Sequence, residues 1–280
     1  MTYHDIVKDI NKMPQLSDIS MDIQSLYASG SENVNIRKLV KLIESDITLT
    51  ANLLKVINSP FYGFQSKISS ISQAVSLFGV NKIYALVIHF AMSNFLKVDT
   101  EIYGFNNNQF NDMCILQSSL MMQWYAKINL RDSHILTSLA LIMESGKLIV
   151  AKELYGSDYL EVYREGFLAC DNISEFEKSF FGTTSYYLSS LLFEHWNFDQ
   201  FYSMILKALD TPNDMEDEQC SLVVQKYAGA IDVIRTAINL KEVLTPESIE
   251  KAAHKVKMMG LDEKHFEKVA QRIRKKFEEL

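Results

Sequence analysis

Apolar residues recur about every three to four positions along the chain, and no stretch alternates with period two. That spacing places apolar side chains on one face of an α-helix, which can then pack on a core. Residues 36–43 and 49–57 show the pattern clearly, and residues 262–277 show it again near the end of the chain. The pattern predicts an all-α fold without a sheet.

Capping residues and helix breakers predict where the helices begin and end. Asp46 precedes the helix of 49–57, Pro60 follows it, and Ser70 with Gln73 forms a capping box for the next helix. A side-chain oxygen at the N-cap accepts a bond from a free backbone N–H, whereas proline cannot continue a helix. Further helices are predicted at about 70–79, 81–96, 109–129, 133–154, 157–166, 174–181, 184–195, 198–209 and 216–240, with two more opening at Thr245 and Asp262.

Two polar, turn-rich segments divide the predicted helices into three groups. Residues 97–108 read KVDTEIYGFNNN, and residues 211–214 read TPND. Such clusters of turn-forming residues are typical of connections between helical units. We therefore expect an N-terminal helical lobe at 1–98, a second lobe at 105–210 and a helical extension at 215–280. The extension either packs back on the core or provides a surface for a homodimer.

Composition and charge narrow the classes of function. The net charge is −7, which argues against nucleic acid as a partner, because phosphates demand a concentrated positive surface. Cys114, Cys170 and Cys220 form no C-x-x-C motif, so no disulfide framework is predicted and a reducing cytoplasm is expected. The first ten residues do not resemble a signal peptide, and the apolar stretch 83–92 is too short to span a bilayer, so we expect no membrane insertion.

Common catalytic and metal-binding motifs are missing. Gly146-Lys147 suggests a phosphate-binding loop, but that motif needs glycine at 141 and a hydroxyl at 148, where this chain has Leu141 and Leu148. The six histidines include no pair at the spacing of metal ligands on a helix, and no G-x-S-x-G motif occurs. The sequence therefore predicts neither a metal nor another cofactor.

An aromatic segment after Pro60 is the main candidate for a binding surface. It contains Phe61, Tyr62 and Phe64 and follows Asn58. Aromatic residues are enriched at the centres of protein interfaces, so these four residues form a candidate interaction loop. The alternative is that the rings fill the seam between neighbouring helices.

The order and spacing of these motifs resemble the HDOD, or HD-related output, domain family of bacterial signalling proteins. The resemblance extends over about residues 9–210 and does not include 215–280. It rests on Asn58-Ser59-x-Phe61-Tyr62-Gly63, Lys67-Ile68-Ser69-Ser70-Ile71, Leu77-Phe78-Gly79, Gly146-Lys147-Leu148, Glu177-Lys178-x-x-Phe181-Gly182 and Leu191-Leu192-x-x-x-Trp196.

The resemblance also implies a lost metal site. The related HD phosphohydrolases read H-D-x-G-K where this chain reads Met143-Glu144-Ser145-Gly146-Lys147, and their His and Asp hold a divalent metal. A methionine thioether is a poor ligand for such ions. Ser185 stands where the family usually has a further histidine, and another would fall near Asp210. These comparisons predict a vestigial pocket without metal or catalysis, formed by Met143, Glu144, Lys147, Ser185 and Asp210.

The resemblance implies a non-catalytic signal-transduction module that binds an unidentified signalling protein, with a link to motility or chemotaxis. Two alternatives remain open. One is a divergent phosphohydrolase or nucleotide-binding module, in which Glu144, Lys147 and Asp210 surround a weakly held cation. The other is a sensor that binds a small molecule in the emptied pocket.

Overall fold

The fold is built from α-helices joined by short turns. The computed structural model describes residues 3–13, 16–64, 66–96, 98–210 and 218–279. Across these ranges there is no β-strand, and the one sheet-like contact is an isolated antiparallel bridge between Ile238 and Val243. The predicted all-α class is confirmed.

The described residues up to Leu96 form five α-helices. They are α1 (Tyr3–Asn11), α2 (Asp18–Tyr27), α3 (Ile36–Glu44), α4 (Ile47–Ile57) and α5 (Ile71–Leu96). The sequence pattern does not predict α1 and α2. Asp46 caps α4 by accepting a bond from the backbone N–H of Leu49 at 3.0 Å, as predicted. Helix α5 is kinked at Gly79, whose φ of 76° suits glycine, at the predicted break.

The described residues from 98 to 210 form seven further α-helices. They are α6 (Asn107–Tyr125), α7 (Leu130–Ile142), α8 (Ser145–Leu154), α9 (Leu160–Ala169), α10 (Ile173–Phe181), α11 (Ser185–His195) and α12 (Gln200–Asp210). The prediction of one continuous helix at 133–154 is wrong, because the chain turns at Met143 and Glu144 between α7 and α8. Apolar residues continue through the turn because both helices are buried, so the periodicity does not reveal it.

The predicted boundary segment is packed into the core. Residues Thr100–Tyr103 form a short 3₁₀ helix, and Thr100, Ile102 and Tyr103 are buried. The Tyr103 hydroxyl donates a hydrogen bond to the carbonyl oxygen of Lys147 at 2.8 Å. This connection therefore ties the predicted N-terminal lobe to α8.

The C-terminal extension packs on the same core. It contains α13 (Glu218–Ala237), α14 (Pro246–Met258) and α15 (Glu263–Glu278). Phe266 of α15 is fully buried, and its ring centroid lies 5.2 Å from that of Trp124 in α6. Arg272 of α15 donates a hydrogen bond to the side-chain oxygen of Gln123 in α6 at 2.7 Å.

In the part of the chain that the structure describes, two helical stretches are long and apolar enough to cross a membrane by length and composition alone, Ile71–Met92 and Leu130–Leu154. Both are interrupted, the first by the kink at Gly79 and the second by the turn between α7 and α8. In the second stretch, 89% of the apolar window is buried inside the protein, as in a core helix.

Candidate functional site

The turn between α7 and α8 carries the predicted vestigial pocket. Glu144 occupies the N-cap position of α8 with φ −84° and ψ 5°. The backbone N–H of Lys147 donates to the carbonyl oxygen of Glu144 at 3.0 Å, which makes the first turn of α8 tight. Glu144 and Lys147 thereby face the same buried space between α6, α8 and α11.

The carboxylate of Glu144 is held entirely by protein groups. Its Oε1 atom accepts hydrogen bonds from Gln117 Nε2 at 2.8 Å and from the Tyr186 hydroxyl at 3.1 Å. Its Oε2 atom lies 3.0 Å from the ammonium nitrogen of Lys147. Both charged side chains are only 1% exposed. A buried ion pair of this kind needs further hydrogen bonds to offset its desolvation. Here Oε1 of Glu144 has two such bonds, whereas Oε2 has the ion pair with Lys147 alone.

Lys147 stays charged in this environment. Its Nζ atom donates a hydrogen bond to Ser185 Oγ at 2.8 Å and lies 4.6 Å from the centre of the Tyr186 ring. Burial by itself lowers the pKa of Lys147, but the nearby Glu144, Tyr186 and Glu177 raise it, and the net result is a raised pKa. The ammonium is therefore the internal counter-ion of Glu144.

A second buried carboxyl group completes the cluster. Glu177 Oε2 accepts a hydrogen bond from the backbone N–H of Ser185 at 2.7 Å, at the start of α11. Burial raises the pKa of Glu177, although the charge of Lys147 and the bonds from Ser185 oppose the rise. Glu177 thus fixes the N-terminal end of α11 against the cluster.

Gly146 allows α8 and α11 to approach each other closely. Its backbone N–H donates to Ser189 Oγ at 2.7 Å, and Ser189 Oγ in turn donates to the carbonyl oxygen of Met143 at 2.8 Å. A methyl group on Gly146 would overlap the Ser185 carbonyl oxygen, only 1.8 Å away. Glycine at 146 is therefore required by the close packing of α8 on α11.

The residues present do not fit the divalent metal of the HD phosphohydrolases. Met143 is fully buried, and its carbonyl oxygen accepts a hydrogen bond from Ser189 Oγ. The carboxylate oxygens of Glu144 already contact Gln117, Tyr186 and Lys147. Nowhere in the described ranges do three or more His, Cys, Asp or Glu side chains form a ligand cluster. Asp210 ends α12, and its side chain lies outside the described residues.

Of the residues proposed for the vestigial pocket, the structure brings Glu144, Lys147 and Ser185 into contact. Three further side chains close the cluster and were not among the predicted site residues: Gln117, Tyr186 and Glu177. Two features of the sequence pointed to Gln117 and Glu177. Gln117 lies where an earlier histidine would fall in the HD phosphohydrolases, and Glu177 belongs to a motif shared with the family.

The candidate interaction loop is anchored by its first residue and exposed at its last. Asn58 accepts a hydrogen bond from the Ile68 N–H and donates one to the Ile68 carbonyl oxygen, both at 2.8 Å. Phe61 and Tyr62 are buried, whereas Phe64 is 39% exposed. The Phe61 ring contacts Phe277 of α15 at a centroid distance of 5.9 Å. The loop therefore both fills a seam and presents one ring at the surface.

Beneath this loop lies a buried lysine without a carboxylate partner in the contacts described. Lys82 is 2% exposed, and its Nζ atom donates to Ser118 Oγ at 2.6 Å. The ammonium nitrogen lies 4.3 Å from the Tyr62 ring centre and 5.6 Å from that of Phe78. Burial lowers the pKa of Lys82 well below its ordinary value, because the apolar surroundings disfavour the charged form.

Replacing Lys82 with methionine is expected to stabilise the protein by about 1–3 kcal/mol at pH 7, because it removes the cost of burying a basic amine that has no counter-ion. The unfolded chain binds a proton at Lys82 up to its ordinary pKa of 10.5, whereas the folded chain releases it at a lower pH. Lys82 therefore makes the free energy of unfolding rise as pH increases between these two pKa values. Urea denaturation across this range measures the effect.

The exposed Lys38 provides the matched control. Lys38→Met is expected to leave both the stability and its pH dependence unchanged. The gain from Lys82→Met over the parent protein is expected to shrink toward pH 10.5. A destabilised Lys82→Met variant would contradict the inferred cost of the buried ammonium.

Comparisons with known proteins identify the family to which the fold belongs. The family model of the HDOD domain matches residues 13–212 of this chain. A search of curated proteins finds no match. The solved structures that resemble the chain show the same fold, at identities too low to show more.

Three of these structures illustrate the likeness. An HDOD domain protein of unknown function from Geobacter sulfurreducens is 17% identical, with a TM-score of 0.66 and coverage of 99% of this chain and 93% of the other. A protein of Shewanella amazonensis, proposed by its name as a phosphohydrolase, is 17% identical, with a TM-score of 0.68 and coverage of 96% and 93%. A protein of Marinobacter aquaeolei, proposed by its name to act in signal transduction, is 17% identical, with a TM-score of 0.65 and coverage of 98% and 62%.

The extent of the family match decides the assignment. It spans well over half of the 280 residues and includes the loop after Pro60, the turn at Glu144 and the helix that begins at Ser185. The chain belongs to the HDOD domain family.

Proposed function

We propose that this protein is a non-catalytic signalling module of the cytoplasm that acts by binding another protein, in a pathway linked to motility or chemotaxis. Membership of the HDOD family fits a signalling module, and the Marinobacter aquaeolei protein of the same fold carries a signal-transduction name. The motility link rests on the family resemblance alone.

The observation that carries the proposal is the closed polar cluster at Glu144. A phosphohydrolase needs an open metal position where water can be activated beside the substrate. Here the carboxylate oxygens have Gln117, Tyr186 and Lys147 as partners, and Glu144 is 1% exposed. The same contacts argue against a small molecule bound to the Glu144 carboxylate, because both of its oxygens already have protein partners.

The surface beside Phe64 is the proposed contact with the partner. Phe64 rests on Phe78 at a centroid distance of 5.2 Å, and the neighbouring Leu77 is 51% exposed. A pocket of about 300 Å³, lined in part by Ser59, Pro60 and Phe64, lies next to the ring. An exposed aromatic ring beside a small pocket is the arrangement that concentrates binding energy in protein interfaces.

Affinity capture from the source cell tests this surface. The double variant Phe64→Ser/Leu77→Ser is expected to lose the partner that the parent protein retains. Each large apolar anchor is worth about 2 kcal/mol or more, so the two changes together weaken binding by a hundredfold or more. Leu130→Ser is the matched control, because Leu130 is also exposed, at 62%, but belongs to α7.

A partner retained equally by both variants would contradict the proposed surface. The non-catalytic part of the proposal has its own test, which is metal analysis of the purified protein. Stoichiometric Mn, Fe or Zn, together with nucleotide hydrolysis that Glu144→Ala abolishes, would instead establish the phosphohydrolase alternative.

A further inference from the structure

A charged cleft opens beside the closed cluster. Its volume is about 660 Å³, which lies in the range typical of sites for small organic ligands. The walls are the first turn of α10, the end of α13 and one side of α14, and Tyr186 lies at its inner end. Helices α13 and α14 lie beyond residue 212, where the family match ends, so the C-terminal extension builds much of this cleft.

Two cations in the cleft share one carboxylate. Asp232 Oδ1 lies 2.6 Å from Arg235 Nε, and Asp232 Oδ2 lies 2.5 Å from Lys255 Nζ. Burial works to raise the pKa of Asp232, but Arg235 and Lys255 hold it below its ordinary value, so the carboxylate is ionised. The trio therefore carries one unit of excess positive charge, in a protein whose net charge is −7.

The other charged side chains of the cleft balance one another. Lys251 lies 3.4 Å from Glu242, and both are partly exposed, so this ion pair is weak and easily rearranged. Lys241 donates to the carbonyl oxygens of Leu168 and Cys170, and the lining also includes Asp171. The excess charge of Arg235 and Lys255 therefore remains without a second counter-ion among the residues lining the cleft.

Tyr186 and Ser174 hold the guanidinium of Arg235 in place. Its guanidinium carbon lies 4.9 Å from the centre of the Tyr186 ring, and its Nη1 atom donates to Ser174 Oγ at 3.4 Å. A guanidinium already held beside an aromatic ring and a hydroxyl loses little freedom when it binds a further anion, and its fork of donors matches phosphate oxygens. The Tyr186 hydroxyl on the opposite side binds Glu144, so the cleft is in contact with the closed cluster.

We propose that this cleft binds a small phosphate-bearing molecule, whose phosphate oxygens take Arg235 and Lys255 as their partners. The phosphate supplies the second counter-ion of the Asp232 trio, and the remaining volume accommodates an organic part against Tyr186. This site would give the protein a ligand input that is independent of the proposed partner surface at Phe64.

Inorganic pyrophosphate is the probe for the test, added to the full chain at constant ionic strength so that general salt effects cancel. The melting temperature of the parent protein is expected to rise by about 5 °C at a hundredfold excess over the dissociation constant. Isothermal titration gives that constant. Lys255→Gln and Arg235→Gln are each expected to weaken binding about tenfold or more, because each removes a charged donor.

Lys226→Gln is the matched control, because Lys226 also pairs with one carboxylate, that of Asp132 at 2.9 Å, but lies outside the cleft. It is expected to bind pyrophosphate as the parent does. Absence of binding by the parent, or equal binding by all four proteins, would overturn the proposal. Guanosine diphosphate, compared with pyrophosphate, distinguishes recognition of an organic phosphate from recognition of a bare anion. Tighter binding of the nucleotide would show that the remaining volume of the cleft holds the organic part. Equal affinity would show that the cleft recognises the phosphates alone.

Discussion

Replacing Gly146 with alanine is expected to destabilise the protein by about 3–5 kcal/mol, among the largest effects of a single methyl group. A Cβ at this position would lie 1.8 Å from the Ser185 carbonyl oxygen and 2.9 Å from the Ser189 backbone nitrogen. These are backbone atoms of α11 and cannot swing aside as a flexible side chain can. Helices α8 and α11 must therefore separate, which breaks the bond from Gly146 to Ser189. Urea denaturation measures the loss.

The same substitution at Gly229 is the matched control. Gly229 lies inside α13, and a Cβ there would come no closer than 3.3 Å to the terminal carbon of the Met259 side chain. That flexible side chain can adjust, and alanine favours a helix interior over glycine by up to about 1 kcal/mol. Gly229→Ala is therefore expected to be neutral or stabilising. A Gly146→Ala variant as stable as the parent would contradict the close packing of α8 on α11.

Replacing Lys147 with methionine is expected to destabilise the protein by about 3–5 kcal/mol, because the carboxylate of Glu144 then stays buried without its counter-ion. The double variant Glu144→Gln/Lys147→Met removes both charges and keeps a side chain that can accept from Gln117 and Tyr186. We expect it to be more stable than Lys147→Met alone. Urea denaturation of the parent, both single variants and the double variant gives the coupling energy between the two residues.

Glu161 and Arg164 supply the control, with the same order and spacing on α9 but at the surface, where their side chains are 73% and 47% exposed. Arg164→Met is expected to cost less than about 0.5 kcal/mol, because water screens an exposed ion pair. The stability of the Lys147→Met variant also distinguishes a structural from a functional role of the ion pair. Residues kept for binding or catalysis often cost stability, so their replacement is commonly neutral or stabilising. A stable Lys147→Met variant would therefore contradict a structural role for the ion pair.

The residues of the Glu144 cluster could be predicted only in part from the sequence. The motif comparison identifies Glu144, Lys147 and Ser185, because these positions follow a fixed order along the chain. Gln117 lies 27 residues from Glu144, its hydrogen-bond partner, and 121 residues from Ile238, whose carbonyl oxygen it also bonds. Such pairs form only when helices from distant parts of the chain pack together.

The amino-acid sequence by itself determined the all-α class, most helix positions and the kink at Gly79. These properties depend on local periodicity, on capping and on the identity of single residues. The tertiary structure decided that the chain turns at Glu144, that Tyr186 and Gln117 close the cluster, and that α15 covers Phe61. Each of these depends on which helix faces are buried against each other, and local patterns carry no information about that choice.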